Sequence, residues 1–199
     1  MDKHITDIDG NKYNTIQIGN QLWMSENLRV TRFKDGQLIP VIEDDQEWDK
    51  AGVEKSPAVC VFQNKPANGK IYGSLYNWPT VIDARGLAPE GWHIPSESEW
   101  KELEKFLGNR DAGTKLKFTD GWYRKKNGTN ESGFNGLPGG ERSWNGCCDS
   151  DDLKRFATWY SSDIDKIAGV TLKWDERFLI YSSMTAGGMG HYIRCVKNK

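Results

Sequence analysis

Residues that could perform chemistry are few and scattered in this 199-residue chain. The histidines and cysteines are His4, His93, His191, Cys60, Cys147, Cys148 and Cys195. No two cysteines have the C-x-x-C spacing of a zinc site, and the histidines belong to no cluster and no Ser/His/Asp set. We therefore predict no catalytic residues and no metal-binding residues.

One string superficially resembles a calcium loop. Asp7, Asp9 and Asn11 follow the order D-x-D-G-N. The glycine comes two places too early, however, and Ile18 occupies the position of the bidentate glutamate. We expect that the chain needs no cofactor, with calcium binding at this string as the alternative.

The overall charge argues against polyanionic partners. Lys and Arg number 27 against 28 Asp and Glu, which leaves a net charge of -1. No basic field is available for nucleic acid or an anionic membrane, and no apolar run approaches the roughly 18 residues of a membrane helix. One basic cluster is either an anion site or, as we expect, a solvated loop; it comprises Lys115, Lys117, Arg124, Lys125 and Lys126.

Aromatic residues are abundant, with nine Trp, seven Tyr and seven Phe. Strand alternation lets only part of such a set face the core, so the remainder is available for contact with a sugar or a protein. We predict a contact surface built from the loop of residues 136–148 and the strands that follow. Its predicted ligand-binding residues are Arg142, Trp144, Asn145, Trp159, Asp163, Trp174, Arg177 and Tyr181. The alternative is that all the rings are buried and the surface is inert.

Several local signals predict a helix from Ser96 to Leu107. Ser96 and Glu99 have the spacing of a capping box, apolar residues follow at helical spacing, and Gly108 suits the C-terminal cap. Trp100 lies on the apolar face. We expect it to anchor the core.

The remaining pattern predicts antiparallel strands and one further helix. Residues 5–30 are typical of a β-meander with turns at Asp9-Gly10 and Gly19-Asn20, and residues 27–33 alternate as a strand. Ser74 is a candidate N-cap for a helix to Arg85, which Pro79 would kink unless it lies in the first turn. Residues 156–197 contain four strand patterns. We predict one α+β domain over residues 1–199, with two main helices on small antiparallel sheets and long structured loops.

Six blocks in order resemble the Fibrobacter succinogenes major paralogous domain family. They are IDGNKYNTIQIGNQLWMSENL, AVCVFQNKPANGKIYGSLYNW, RGLAPEGWHIPSESEWKELEKFLG, ESGFNGLPGGERSWNG, WYSSD and YIRCVK. The resemblance covers essentially the whole chain. It implies a C-type-lectin-like fold and a non-catalytic module that binds a glycan or a surface protein.

The resemblance also suggests an enzyme as the alternative. Formylglycine-generating enzymes are similar to this group, and their copper-dependent oxidation needs paired cysteines on the closing sheet. Only Cys195 occupies such a position here, and for that reason we expect no enzyme.

Three further expectations concern the cysteines, the location and the oligomeric state. The blocks AVC and IRC imply that Cys60 and Cys195 form a disulfide if the protein is exported to an oxidising compartment. The family implies a cell-surface or extracellular protein. No charged-then-apolar leader stands at the N-terminus, so a leader or lipoprotein peptide is either absent in nature or, as we expect, was removed from this sequence. We also expect a monomer that does not insert into a membrane.

Overall fold

The structure is a computed structural model that describes residues 4–143, 148–163, 166–184 and 188–199, with only the main chain of Met184. It is a mixed α/β fold. Its strands are β1 His4–Thr6, β2 Lys12–Ile18, β3 Gln21–Met24, β4 Val59–Val61, β5 Ser74–Asn77, β6 Trp92–His93, β7 Phe156–Tyr160, β8 Ile167–Lys173, β9 Ile180–Met184, β10 Gly190–His191 and β11 Val196–Lys197. Its α-helices are α1 Asp45–Val53, α2 Pro66–Tyr72, α3 Trp78–Val81, α4 Glu97–Leu107 and α5 Ala112–Leu116.

The named strands form three sheets in which all neighbours are antiparallel. The strand orders are β1-β2-β3-β11-β6, β10-β5-β4 and β7-β8-β9. The C-terminal segment, residues 190–197, connects all three. Its β10 and β11 belong to two of the sheets, while the Tyr192 amide donates to Thr158 of β7 at 3.0 Å. The last residues of the chain therefore hold the sheets together.

The predicted N-terminal hairpins are confirmed by β1, β2 and β3. The turn between β1 and β2 is built on Asp7, whose carboxylate accepts hydrogen bonds from the amides of Asp9 and Asn11 and from the Tyr13 hydroxyl. Gly10 has a φ of 83°, which the turn requires. The Asp7 oxygens that resembled calcium ligands therefore bind groups of the turn itself.

The predicted helix at Ser96 is confirmed as α4. Ser96 is its N-cap, both hydrogen bonds of the capping box to Glu99 are present, and Gly108 has the left-handed conformation at the C-terminus. Trp100 and Leu103 on its apolar face are fully buried. Local sequence was sufficient here because both ends of the helix are marked by nearby residues, the capping box at the start and a glycine at the end.

The predicted helix from Ser74 to Arg85 is wrong. Ser74–Asn77 is strand β5, which pairs with β4 on one side and β10 on the other. The Asn77 side chain then caps the one-turn helix α3, in which Pro79 occupies the first turn. The pairing of β5 with β10, which lies more than 100 positions away in the chain, determines the structure of this segment. The local helical pattern was already weakened by Pro79.

Two other local predictions differ from the structure. Residues 27–33 form no strand; they run beside the C-terminal segment, and the Leu28 amide donates to the Ile193 carbonyl. The acidic run of residues 43–49, for which no helix was predicted, contains the start of helix α1, because Asp44 caps the amides of Gln46 and Glu47. An acidic first turn is favourable at a helix N-terminus.

The core has two clusters on opposite sides of the strands. Because successive side chains of a strand point to opposite faces, neighbouring residues belong to different clusters. In β4, Cys60 lies in the larger cluster and Val59 in the smaller one. The larger cluster contains Trp23, Trp100 and Trp159. None of the helices in the described ranges is long and apolar enough to cross a membrane.

Candidate functional site

Two of the predicted contact residues lie in the interior, so their prediction as surface residues is wrong. Arg142 is fully buried; its guanidinium donates to Asp45 Oδ1 at 2.7 Å and to the carbonyls of Ile42, Glu43 and Asp44. Arg142 therefore connects the loop of residues 136–148 to the start of α1. Trp159 is also fully buried and donates through Nε1 to Asn27 Oδ1 at 2.7 Å. Trp159 lies on the face of β7 that packs against the core.

The described part of the predicted contact loop, residues 136–143, is also mostly buried. A Cβ added to Gly139 would lie 2.4 Å from the Tyr192 hydroxyl, and one added to Gly136 would lie 2.8 Å from the Leu116 carbonyl. The glycines therefore serve close packing rather than ligand contact. Trp144 and Asn145 lie outside the described residues.

Asp163 and Tyr181 contact helix α4. Asp163 Oδ2 accepts a hydrogen bond from the Glu97 amide at 2.8 Å, which makes it a second cap of that helix. The Tyr181 hydroxyl donates to Glu104 at 2.9 Å, and burial together with this carboxylate raises the pKa of Tyr181. Both side chains have a structural role in the described contacts.

Trp174 and Arg177 lie on the turn between β8 and β9. The Arg177 side chain is 73% exposed and forms an ion pair with Asp111. The buried Lys117 ammonium organises this turn by donating to the main-chain carbonyls of Lys173 at 3.2 Å and Glu176 at 2.8 Å. Burial lowers the pKa of Lys117. Lys117 therefore cannot act in the anion-binding cluster that was the alternative for its loop.

Trp174 is half-buried and contacts a ring that the sequence did not single out. Its ring centroid is 5.2 Å from that of Tyr123, at an interplanar angle of 82°. The Arg155 guanidinium lies 4.7 Å from the Tyr123 ring centroid, and that of Arg124 lies 5.3 Å from it. We call Tyr123, Arg124, Arg155 and Trp174 the aromatic–basic surface. The string Gly121-Trp122-Tyr123-Arg124 is the sequence signal that could have indicated it.

Main-chain hydrogen bonds hold the three segments of the aromatic–basic surface together. The Trp174 amide donates to the Arg155 carbonyl at 2.7 Å, and the Tyr123 amide donates to the Lys154 carbonyl at 2.8 Å. Three non-glycine residues here have positive φ: Arg124 at 51°, Lys125 at 56° and Lys154 at 74°. Left-handed conformations cost energy for such residues and cluster at functional sites. The backbone therefore presents this surface at some cost to stability.

The predicted disulfide between Cys60 and Cys195 is wrong in this structure. Cys195 is a free cysteine whose side chain lies in the smaller core cluster, whereas Cys60 faces the larger one. Burial raises the pKa of the Cys195 thiol to about 12. Within the described ranges, no group of three or more His, Cys, Asp and Glu side chains is arranged to hold a metal ion.

Comparison with known proteins identifies the family. Neither the curated proteins nor the solved structures provide a match. A family model described as the Fibrobacter succinogenes major domain matches residues 16–197, which is most of the chain. This protein therefore belongs to the Fibrobacter succinogenes major domain family.

Proposed function

We propose that this protein is a non-catalytic glycan-binding module, and that the aromatic–basic surface is its contact site. The observation that carries the proposal is the half-buried Trp174 ring set against Tyr123, with the Arg124 guanidinium beside Trp174 and that of Arg155 beside Tyr123. Aromatic faces match the apolar faces of sugar rings, and guanidinium groups donate hydrogen bonds to hydroxyl and carboxylate oxygens.

The chemistry of the surface favours binding over catalysis. Its four residues include no carboxylate, imidazole or thiol that could act as a general base or nucleophile at neutral pH. The rival activity, a copper-dependent oxidation, would need a pair of thiolate ligands, and the buried side chains of Cys60 and Cys195 lie in different core clusters. Neither feature supports the oxidase alternative.

The fold and location are part of the same proposal. We infer a C-type-lectin-like arrangement, with the cell surface or the extracellular space as the site of action, because the family resemblance implies both. Antiparallel sheets closed by the C-terminal segment and covered by α4 agree with such an arrangement.

A glycan array tests the proposal with four proteins: wild type, Trp174→Ala, Tyr123→Ala and Phe178→Ala. Phe178 is the matched control because it is an exposed aromatic residue, 45% accessible, outside the aromatic–basic surface. We expect wild type and Phe178→Ala to bind the same glycans. Each of the other variants should lose about tenfold or more in affinity, since a central contact residue contributes about 1.4 kcal/mol or more.

Two results would refute the assignment. The first is a wild-type protein that binds no glycan on the array. The second is a loss of equal size in Phe178→Ala, which would mean that the aromatic–basic surface has no special role. Thermal unfolding of each variant shows whether a loss reflects the site or the fold.

A further inference from the structure

A cavity of about 390 Å³ shares no residue with the aromatic–basic surface. Ile71, Phe118 and Leu137 give it apolar walls, and Glu26, Asn27 and Arg194 are among its polar lining residues. Ile71 is 57% exposed although it is a large apolar residue at the end of α2. Pockets of this size, mostly apolar with a few convergent polar groups, are typical of small-molecule sites.

Arg194 is the unusual member of the cavity lining, because a charged side chain is only 1% exposed there. Its described hydrogen bonds all go to neutral oxygens: Nε and Nη2 donate to Asn27 Oδ1, and Nη1 donates to the Phe134 carbonyl. A buried cation normally has a paired anion, since burial without one is costly. Burial accordingly lowers the pKa of Arg194 to about 9, a cost to the charged form that nearby Glu26 only partly offsets.

The guanidinium is held rigidly in one orientation. It lies 4.1 Å from the Phe134 ring centroid and 5.6 Å from that of Trp159. Asn27 is fixed in turn, because its Nδ2 donates to the Tyr72 carbonyl at 2.7 Å and its Oδ1 accepts from Trp159 Nε1. The three described bonds use three of the five N–H groups of a guanidinium. One N–H on each terminal nitrogen is left for a further acceptor.

We propose that this cavity binds a small organic monocarboxylate, whose carboxylate accepts hydrogen bonds from Arg194 and whose apolar body lies against Ile71, Phe118 and Leu137. The planar guanidinium matches a carboxylate in geometry as well as in charge. Glu26 restricts the ligand to a single negative charge. Its carboxylate lines the same cavity while binding the amide and the side chain of Asn14 at 2.7 Å, so a second anionic group would be repelled.

Hexanoate is the probe for this site, with hexanamide as its uncharged counterpart. We expect hexanoate to bind wild type with a dissociation constant on the order of 1 mM, as its few heavy atoms allow, and hexanamide to bind at least about tenfold more weakly. Titration followed by NMR reports the position, because the Trp159 indole N–H shares the acceptor Asn27 Oδ1 with Arg194. Its signal should shift with hexanoate.

Variants at the cavity mouth avoid disturbing the core. Ile71→Glu adds a negative charge beside the opening and should abolish hexanoate binding. Ile82→Glu is the matched control, since Ile82 is an isoleucine of similar exposure, 49%, outside the cavity; its affinity should equal that of wild type. Glu26→Gln should bind hexanoate a few-fold more tightly and leave hexanamide unchanged, because it removes the opposing charge.

Any of three results would overturn the proposal. The first is that wild type does not bind hexanoate at about 10 mM, well above the expected dissociation constant. The second is that wild type binds hexanoate and hexanamide with equal affinity. The third is that Ile71→Glu and Ile82→Glu lose hexanoate affinity equally. None of them bears on the glycan array, because the two sites share no residue.

Discussion

At the scale of the residue, the centre of the larger core cluster is a group of aromatic rings in mutual contact. The Trp100 ring centroid lies 4.8 Å from that of Trp23, 5.9 Å from that of Phe134 and 6.1 Å from that of Trp159. Its indole Nε1 is buried and has no hydrogen-bond partner among the described residues. The ring therefore stabilises the core through its area and not through its polar atom.

We expect Trp100→Ala to lower the free energy of unfolding by about 3 to 5 kcal/mol, because it leaves a large cavity between three rings. Trp100→Phe should cost clearly less, since it keeps an aromatic ring and removes an unsatisfied donor. Denaturant unfolding measures both. A loss below about 1 kcal/mol for Trp100→Ala would show that the residue lies outside the core.

A second residue-scale feature is the pair formed by the buried His191 and the partly buried Glu141, with Nδ1 and Oε2 3.3 Å apart. Burial raises the pKa of the Glu141 carboxyl to about 7 and lowers the pKa of His191 to about 3. The folded pair thus holds one proton between these values. The unfolded pair also holds one proton between about pH 4.3 and 6.5. Folding exchanges no proton in that window, so the pair leaves stability independent of pH there.

Each single variant should reveal one half of this balance. In His191→Asn, the folded Glu141 stays protonated up to about pH 7 while the unfolded one ionises, so stability falls as pH rises from about 4.5, by at most about 1.4 kcal/mol per unit. In Glu141→Gln, the folded His191 stays neutral while the unfolded one takes up a proton, so stability falls as pH drops below about 6.5. Both expectations are checked by denaturant unfolding at several pH values, in which the free energy of unfolding of each variant is compared with that of wild type. If stability depends on pH in both variants as it does in wild type, the opposite pKa shifts of Glu141 and His191 are contradicted.

At the scale of the element, helix α4 is held at its N-terminus by side chains from two parts of the chain. The Ser96 hydroxyl accepts from the Glu99 amide, and Asp163, from the loop after β7, accepts from the Glu97 amide. An anionic cap also interacts favourably with the helix dipole. Asp163 therefore couples α4 to the β7-β8-β9 sheet.

We expect Ser96→Ala and Asp163→Ala each to cost about 1 kcal/mol of unfolding free energy, the usual value of a lost cap. Lys105→Ala is the control, because Lys105 is an exposed residue at the other end of the same helix; it should stay within about 0.5 kcal/mol of wild type. Unchanged stability in Asp163→Ala would mean that its bond to Glu97 is unimportant in solution.

The elements that sequence could predict are those whose ends are marked locally. Helix α4 carries its caps within its own sequence, and the β1-β2 turn carries Asp7 and Gly10. Strand β5 does not, because its two neighbours come from residues 59–61 and 190–191 and no local pattern reports them. Helix α1 was missed since its cap, Asp44, stands in an acidic run that is equally typical of a solvated loop.

At the scale of the whole molecule, the aromatic–basic surface depends on contacts that sequence patterns do not contain. Alternation predicted that some C-terminal rings face outward, but not that Trp159 faces inward or that Trp174 meets Tyr123. The turn that carries Trp174 is organised by Lys117, which donates to carbonyls 56 and 59 positions away. The sequence could indicate Trp174 as a candidate contact residue, but its neighbours could be identified only from the folded structure.

The most direct test of the account is an NMR titration of the indole N–H signals of the nine tryptophans with a glycan identified on the array. We predict that the Trp174 signal shifts as the glycan is added, while those of the fully buried Trp23, Trp100 and Trp159 stay in place. An unchanged Trp174 signal at saturating glycan would contradict the claim that the aromatic–basic surface is the binding site.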